Sequence, residues 1–289
     1  MLICLACGAD RPGANGHCPG CGSKIALING FETFAPETAQ AKSGFDPRRF
    51  GFLSAIQDKN FWFRGRNELL AWALNSCFPD ARSLLEIGCG SGAVLDHLSR
   101  SCPQLQTLAG SDAHVEGLRF AAERLGKRAH IFQMDARRIP FRQEFDVIGC
   151  FDVIEHIQED ALVLAAIYRA VAPGGGVILT VPQHRLLWSR HDEVARHIRR
   201  YGARELTAVV AGAGFRIALL TSFVTLLLPV MLASRMLERI RPQPETEGLQ
   251  VGGAPNQILY RIMRFERALI ARGLRLPVGG SLLLVARRP

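Results

Sequence analysis

An α/β fold, a doubly wound and mostly parallel sheet with a small module ahead of it, is the fold class this 289-residue sequence predicts. Three observations carry that prediction. A strand pattern ending at Glu86-Ile87 runs into glycines at 88, 90 and 92, and then into a helix pattern from Ala93 to Leu98. Short apolar strands alternate with helical stretches from there to about residue 220, as strand–helix–strand units require. Four cysteines in two C-x2-C pairs stand apart at the front. Apolar residues make up 48% of the chain, ample for a buried core.

The front module comes first. Cys4, Cys7, Cys18 and Cys21 form C-x2-C-x10-C-x2-C, with Gly8 and Gly22 following the pairs. Two residues between thiolates let one tight turn present both sulfurs to a tetrahedral ion, and a glycine lets that turn close. The spacing points to structural zinc, with four thiolates and no open position for chemistry. Residues 1–28 are too few for a hydrophobic core, so metal binding would supply the folding energy of this zinc ribbon. Residues 29–60 read as a linker passing into short helices, and 61–289 as the main domain. The opening has no basic segment before a long apolar run, which sets the expectation of a cytoplasmic chain. Cys77, Cys89, Cys102 and Cys150 are then expected in the core rather than in disulfides.

The main domain opens with Asn60-Phe61-Trp62-Phe63-Arg64-Gly65-Arg66, leading into a helix with apolar residues at Leu69, Leu70, Trp72, Ala73 and Phe78. The glycine run follows with the spacing E-x-G-x-G-x-G, where an acidic strand end suits a cationic ligand better than a pyrophosphate. Leu108 to Asp112 reads as a second strand ending in an acid, His130 to Ala136 as a third, and Phe145 to Phe151 as a fourth running into Asp152-Val153-Ile154-Glu155-His156. A helix from Leu164 to Ala172, a turn at Pro173 to Gly176 and a buried fifth strand from Val177 to Val181 come next. Arg204 to Ala213 is helical, Gly214 caps it, and Phe215 to Leu220 is a sixth strand. Ser281 to Ala286 is the last.

In order and spacing, residues 61 to about 220 resemble the class I S-adenosylmethionine (SAM)-dependent methyltransferases, with Leu84 to Gly92 matching their motif I. The resemblance implies a Rossmann-like sheet of seven strands whose last strand inserts antiparallel between the fifth and sixth. It also implies SAM as cofactor, bound by Glu86, Gly88, Cys89, Gly90 and Gly92 on the first loop. Asp112 would accept the ribose hydroxyls with Ala113 beside it, Asp135 would meet the adenine amino group with Ala136 beside it, and Phe151 would approach the methionine part. The "FWF-x-x-R" segment covers the cofactor in this family, with Arg64 as the expected partner of its carboxylate and Phe61, Trp62 or Phe63 lining the site.

Chemistry is expected after the fourth strand, because ligands bind beyond the carboxyl ends of strands in an open sheet. A neutral imidazole on His156 can take a proton from an attacking hydroxyl or amine. Glu155 can orient that imidazole or bind a metal, and some related quinone O-methyltransferases use acidic residues and a His here with a divalent ion. The run Trp188 to Tyr201 resembles a "W-x-x-HD-x-x-x-x-H-x-RRY" segment of a bacterial methyltransferase subgroup, which makes Trp188, His191, Asp192 and His197 an expected lid over the acceptor, with His191 the third catalytic candidate. Arg199-Arg200 is a candidate phosphate clamp. The fourth strand is not followed by an Asn-Pro-Pro-Tyr-like run, which argues against methylation of amino groups on bases or glutamine.

An insert at about 221–280 takes the place of the short hairpin link of the simplest family members. Ile217 to Ser234 carries no charge, but its first part is needed as strand six and the remainder is too short to span a membrane. An apolar helix followed by Arg235, Arg239 and Arg241 fits docking at a membrane interface or gripping a lipid tail. Residues 242–258 read as a mobile loop and Tyr260 to Arg272 as a basic amphipathic helix. The formal charge of +9 is concentrated late: residues 235–289 hold ten Arg against four Glu, and residues 185–204 six Arg against Asp192 and Glu193. Such a distribution calls for an anionic partner. The reading is a methyltransferase acting on O or N of a small-molecule or lipid-linked acceptor, with peripheral membrane contact. An RNA or tRNA methyltransferase using the ribbon and the basic C-terminal region is the first alternative. A non-catalytic binding module on the same fold is the second.

Overall fold

The computed structural model describes residues 1–11, 13, 16–39, 46, 49–240 and 251–289, with the side chains of 238–240 left aside. Along the chain the elements are β1 (Leu2–Ile3), β2 (Asp10–Arg11), β3 (Ala26–Ile28), β4 (Phe31–Thr33), α1 (Pro36–Ala39), α2 (Arg49–Ile56), α3 (Phe61–Cys77), β5 (Ser83–Ile87), α4 (Ala93–Ser101), β6 (Thr107–Asp112), α5 (Val115–Leu125), β7 (His130–Gln133) and β8 (Phe145–Phe151). They continue as α6 (Asp160–Ala170), β9 (Val171–Pro182), α7 (Arg190–Val194), α8 (Ala203–Gly212), β10 (Arg216–Phe223), α9 (Leu228–Ile240), α10 (Gly253–Ala271) and β11 (Ser281–Arg287).

One large sheet runs in the order β10-β11-β9-β8-β5-β6-β7-β4-β3. All seven expected strands are in it. β11 lies antiparallel between β9 and β10, from Ser281 opposite Pro182 and Phe223 to Arg287 opposite Gly176 and Arg216. Successive residues of each strand face opposite sides, so one sheet serves two cores. Leu84, Val147, Ile178 and Leu283 pack beneath α3, α4 and α5. Their neighbours Leu85, Ile148, Leu179 and Leu282 pack against α6 and α8. Both faces are covered, as parallel strands require, because each is apolar on both sides.

Two more strands extend this sheet at the far edge. β3 and β4 form an antiparallel hairpin, Ala26 opposite Thr33, and β4 then pairs in parallel with β7, Thr33 opposite Gln133. The boundary drawn at 28/29 therefore falls inside a hairpin, and Phe31–Thr33, read as linker, is a strand of the main sheet. The side chain of Gln133 makes the seam, accepting from Ala35 N and donating to the carbonyls of Ala35 and Ala113. The cysteine module is tied down as well: β1 pairs with β2, and Ile3 N donates to Pro140 O.

The insert corrects another boundary. Of the expected loop 242–258, residues 242–250 lie outside the described residues, and 251–258 contain the start of α10, which begins at Gly253. Pro255 is tolerated there because the first helical turn has no intrahelical acceptor for its missing N–H. Asn256 clips this turn to the start of α3, accepting from Phe61 N and donating to Lys59 O.

Candidate functional site

β5 sits where the chain changes direction. From β5 it builds β6 and β7 on one side, then returns to lay β8 on the other, and that switch opens a crevice at the strand ends. A cavity of about 840 Å³ fills it, at the upper end of small-ligand sites.

The loop after β5 turns on Gly88, at φ +72°, where an added Cβ would lie 2.3 Å from Val153 Cγ2. Only glycine brings the backbone this close to the loop after β8. Gly90 N donates to Asp112 Oδ2 at 3.0 Å and His114 N to Asp112 Oδ1 at 2.9 Å, so the acid ending β6 braces both loops. Burial raises the Asp112 pKa despite those bonds. Glu86 is buried at the floor, its Oε2 has no protein partner, and burial pushes its pKa up to about 8 although Arg66 opposes the shift. A buried carboxylate oxygen facing a cradle with no Cβ fits the ammonium group of an amino-acid-like ligand, and so fits SAM. Asp135 lies across the crevice. Arg137 holds it in a fork, Nη2 to Oδ2 at 2.7 Å and Nε to Oδ1 at 3.0 Å, and keeps its pKa low against the effect of burial.

Glu86, Gly88, Cys89, Gly90, Asp112, Ala113, Asp135, Ala136 and Phe151 all line this cavity, as do Phe61, Trp62 and Phe63 at the start of α3. Two expected cofactor residues do not. Gly92 is the N-cap of α4 at φ +74°, where a Cβ would meet the Ala121 backbone at 3.1 Å, so it serves helix packing. Arg64 lies outside the cavity, its guanidinium 3.7 Å from the centre of the Tyr260 ring on α10. One helical half-turn on, Arg66 takes the inward place: its Nη1 meets Asp152 Oδ2 at 2.6 Å, and the guanidinium lies 4.7 Å from the Trp62 ring. The third residue after "FWF" is thus the one that faces the site, as α-helical rotation dictates. Asp152 sits at φ +56° directly after β8, a left-handed conformation unusual for a non-glycine residue, held where the fourth strand opens into the cavity.

The same cavity is lined by His156, Glu155 and His191. His197 joins them. Its ring is edge-on to His156 with centroids 4.8 Å apart, its Nε2 lies 3.9 Å from Glu155 Oε1, and its Nδ1 lies 2.9 Å from Asp192 Oδ1. Glu155 is fully buried, neither oxygen has a hydrogen-bond partner, and burial with the nearby Asp152 charge raises its pKa well above the carboxylate range. Burial and the neighbouring His197 push His156 down to about 4, and burial does the same to His191, so both are neutral at pH 7. Glu155, His156 and His197 each bring one ligand atom within 4.8 Å of the others.

The segment Trp188 to Tyr201 builds this wall. Asp192 is buried and accepts from Arg200 Nε at 2.7 Å and Nη2 at 3.0 Å, as well as from Ser189 N. Burial works against its charge, yet Arg200 and His197 hold its pKa well below the usual range. Arg199 donates to Asp160 Oδ2 at 2.7 Å, and Tyr201 Oη donates to the same oxygen at 2.7 Å. The expected phosphate clamp is thereby corrected, because both arginines are spent on internal carboxylates. Of the expected lid, His191 and His197 face the cavity, Asp192 stands behind them, and Trp188 is not in the lining.

Away from the cavity, the two knuckles take one conformation: Cys4 N donates to Ala9 O and Gly8 N to Cys4 O, as Cys18 N does to Ser23 O and Gly22 N to Cys18 O. All four sulfurs lie within 4.8 Å of one another. The Sγ separations of 3.7 Å for Cys4–Cys21 and 3.6 Å for Cys7–Cys18 are far beyond a disulfide. They match the edge of about 3.8 Å of a tetrahedron with 2.3 Å metal–sulfur bonds. The donor set fits zinc.

Comparison with known proteins agrees with this geometry. A family model described as "Methyltransferase domain" matches residues 54–220. A protein of Mycolicibacterium smegmatis named "Probable S-adenosylmethionine-dependent methyltransferase" is 26% identical over 171 residues, covering 57% of this chain and 63% of that protein. The "Ubiquinone biosynthesis O-methyltransferase" of Aromatoleum aromaticum is 26% identical over 124 residues, 38% of this chain and 48% of that one. The chain thus spans roughly half to two thirds of the length of these relatives. Among solved structures, phosphoethanolamine N-methyltransferase 2 of Haemonchus contortus in complex with SAM superposes with a TM-score of 0.51 at 22% identity, covering 77% of this chain and 52% of that one. That likeness is one of fold.

Proposed function

This chain belongs to the methyltransferase-domain family, and we propose that it transfers the methyl group of SAM to an oxygen or nitrogen of a small-molecule or lipid-linked acceptor. The observation that carries the reading is the continuity of one cavity. The glycine loop with Glu86 and Asp112, the rings of His156, His191 and His197, and an apolar wall made by Leu227 with Val230 and Met231 of α9 all line it. When bound, SAM supplies a methyl already activated on a sulfonium: the S–C bond breaks with its electron pair going to sulfur, while the acceptor forms its O–C or N–C bond and releases a proton.

The protein's share is placement and proton removal. Glu86 would bind the ammonium and Arg66 the carboxylate of the amino-acid end. Holding nucleophile, methyl and sulfur in line is worth roughly 7–11 kcal/mol, so no covalent nucleophile is needed. His156, neutral at working pH, would receive the acceptor's proton; its Nδ1 lies 3.3 Å from the Arg196 carbonyl, leaving Nε2 for the acceptor. The relatives named for ubiquinone biosynthesis and the apolar α9 wall support an acceptor with a substantial apolar part.

The test is transfer from methyl-labelled SAM into host-cell extract, with label counted in organic, RNA, protein and small-molecule fractions. Label in the organic or small-molecule fraction is expected. Label in RNA would replace this acceptor class with a polynucleotide. Intact SAM binding with no label in any fraction, across extracts from several growth conditions, would favour a binding module that keeps the fold.

A further inference from the structure

α9 is amphipathic in an inverted sense. Leu227 and Met231 face the cavity, and so do the polar Ser234 and Arg235. The outward side is apolar: Leu226 and Leu232 are exposed, and Val230, Met236 and Leu237 are 55%, 67% and 57% exposed. Positions 226, 230, 233 and 237 form one stripe, and 229, 232 and 236 the stripe beside it, all without charge. Isolated exposed apolar residues are ordinary, but a continuous helical face of them marks a surface that another phase or molecule covers.

The rim says which. Among the described residues 251–289, Glu266 is the only acid, and it is buried, accepting from the backbone N–H groups of Val224, Thr225 and Leu226 at the root of α9. Thr225 Oγ1 donates to Val278 O at 2.6 Å, which places exposed Val278 beside the same root. Arg261, Arg272 and Arg275 are exposed, interleaved with exposed Ile258, Phe265 and Leu274, while Arg264 meets Glu68 Oε2 at 3.7 Å. Two copies meeting through this face would bring like charges together. A polynucleotide would satisfy the arginines and leave the apolar face of α9 in water. A surface that is anionic above and apolar beneath satisfies both.

We propose that the outward face of α9, with the arginines of α10 and the turn after it, docks on an anionic lipid surface. No helix among the described residues is long and apolar enough to cross a membrane, so the contact is interfacial. The proposal deepens the lipid-linked acceptor reading and rests on it for its purpose. Val230 belongs both to the cavity wall and to the exposed face, so an acceptor held in a bilayer would reach the cavity past α9 without crossing water.

The experiment is flotation of the full chain with vesicles of phosphatidylcholine alone and of phosphatidylcholine with phosphatidylglycerol, alongside M236E/L237E and R261E/R272E. None of these four side chains lines the cavity. The native chain should float with the anionic vesicles. Each double variant should lose at least about tenfold in partitioning, since one basic residue near an anionic surface is worth roughly fivefold. Unchanged melting temperatures and SAM affinity would show that the variants fold. Failure to float, or flotation that M236E/L237E leaves intact, overturns the proposal. So does a dimer that M236E/L237E splits, or RNA binding in place of vesicle binding. Vesicle binding is read without methyl transfer, so a wrong acceptor class and a wrong docking surface fail separately.

Discussion

Two parts of the cavity lining are built differently. The proposed cofactor part uses loops that directly follow consecutive parallel strands: Gly88 and Gly90 after β5, Asp112 at the end of β6, Asp135 just after β7. The proposed acceptor part is gathered from distant pieces: His156 after β8, His191 and His197 after β9, and the wall of α9. Strand ends are fixed by the sheet's own hydrogen bonds, so the first set needs little outside support. The second depends on a buried ion pair, Asp192–Arg200, and on rings leaning on one another. The difference teaches that one cavity can combine a part fixed by its sheet with a part that must be braced separately; under the proposed function, the first would hold the methyl donor and the second would choose the acceptor.

Breaking the wall should leave the frame standing. His156→Ala is expected to lower kcat by about 10²–10⁴-fold with SAM affinity unchanged, measured by steady-state kinetics and calorimetry. A parallel loss of SAM binding would erase the distinction between the two parts. Asp192→Ala should destabilise the chain by about 3–5 kcal/mol in urea unfolding, because it strands the Arg200 charge in the interior. An effect below 1 kcal/mol would mean that the wall is not braced as the geometry indicates.

The frame gives its own signature in pH. Glu86 holds its proton up to about 8 in the ligand-free protein. If it must ionise to receive an ammonium group, SAM affinity should rise with pH by up to tenfold per unit below 8 and level off above. Glu86→Gln should flatten that profile, as calorimetry between pH 6.5 and 8.5 would show. The most gradual effect is on stability. His156 and His191 titrate at about 4 when folded, against 6.5 when free. The unfolded chain therefore takes up protons first. Stability, fully present above pH 6.5, should fall as pH drops towards 4, by at most about 1.4 kcal/mol per unit for each ring, and His191→Gln should remove its share.

Legibility in the sequence followed the same division. Motif spacing places Glu86, Gly88, Gly90, Asp112 and Asp135 because each sits at a fixed offset from a strand that period and apolarity reveal. Arg64 was the miss: two residues separate the aromatic run from the arginine of "FWF-x-x-R", which puts that arginine at Arg66, the position that helix rotation also turns inward. His197 carried a readable signal within the lid segment, but its partnership with Glu155 and His156 crosses about forty residues and belongs to tertiary packing. The β3–β4 hairpin was hidden for a similar reason. Its strands are three residues each, and they are strands because β7 offers an edge. Pro255 read as loop because a proline marks a break in most contexts and a first turn in a few.

The seam at Gln133 has a consequence for the order of folding. β4 and the residues after it find their partners about a hundred residues downstream: Thr33 opposite Gln133, Phe34 N donating to Gln133 O, the Gln133 amide on Ala35, and Glu32 beside His130 Nε2. Contacts that must close so long a loop form late and open early. Gln133 also reaches Ala113, and Thr38 beyond the hairpin lines the cavity, so the N-terminal strands and the cavity wall should loosen together. Backbone amides of residues 26–39 should exchange with deuterium ahead of the rest of the sheet, and should slow when SAM fills the crevice. The appended front of the chain would then act as a latch whose closing is coupled to cofactor occupancy.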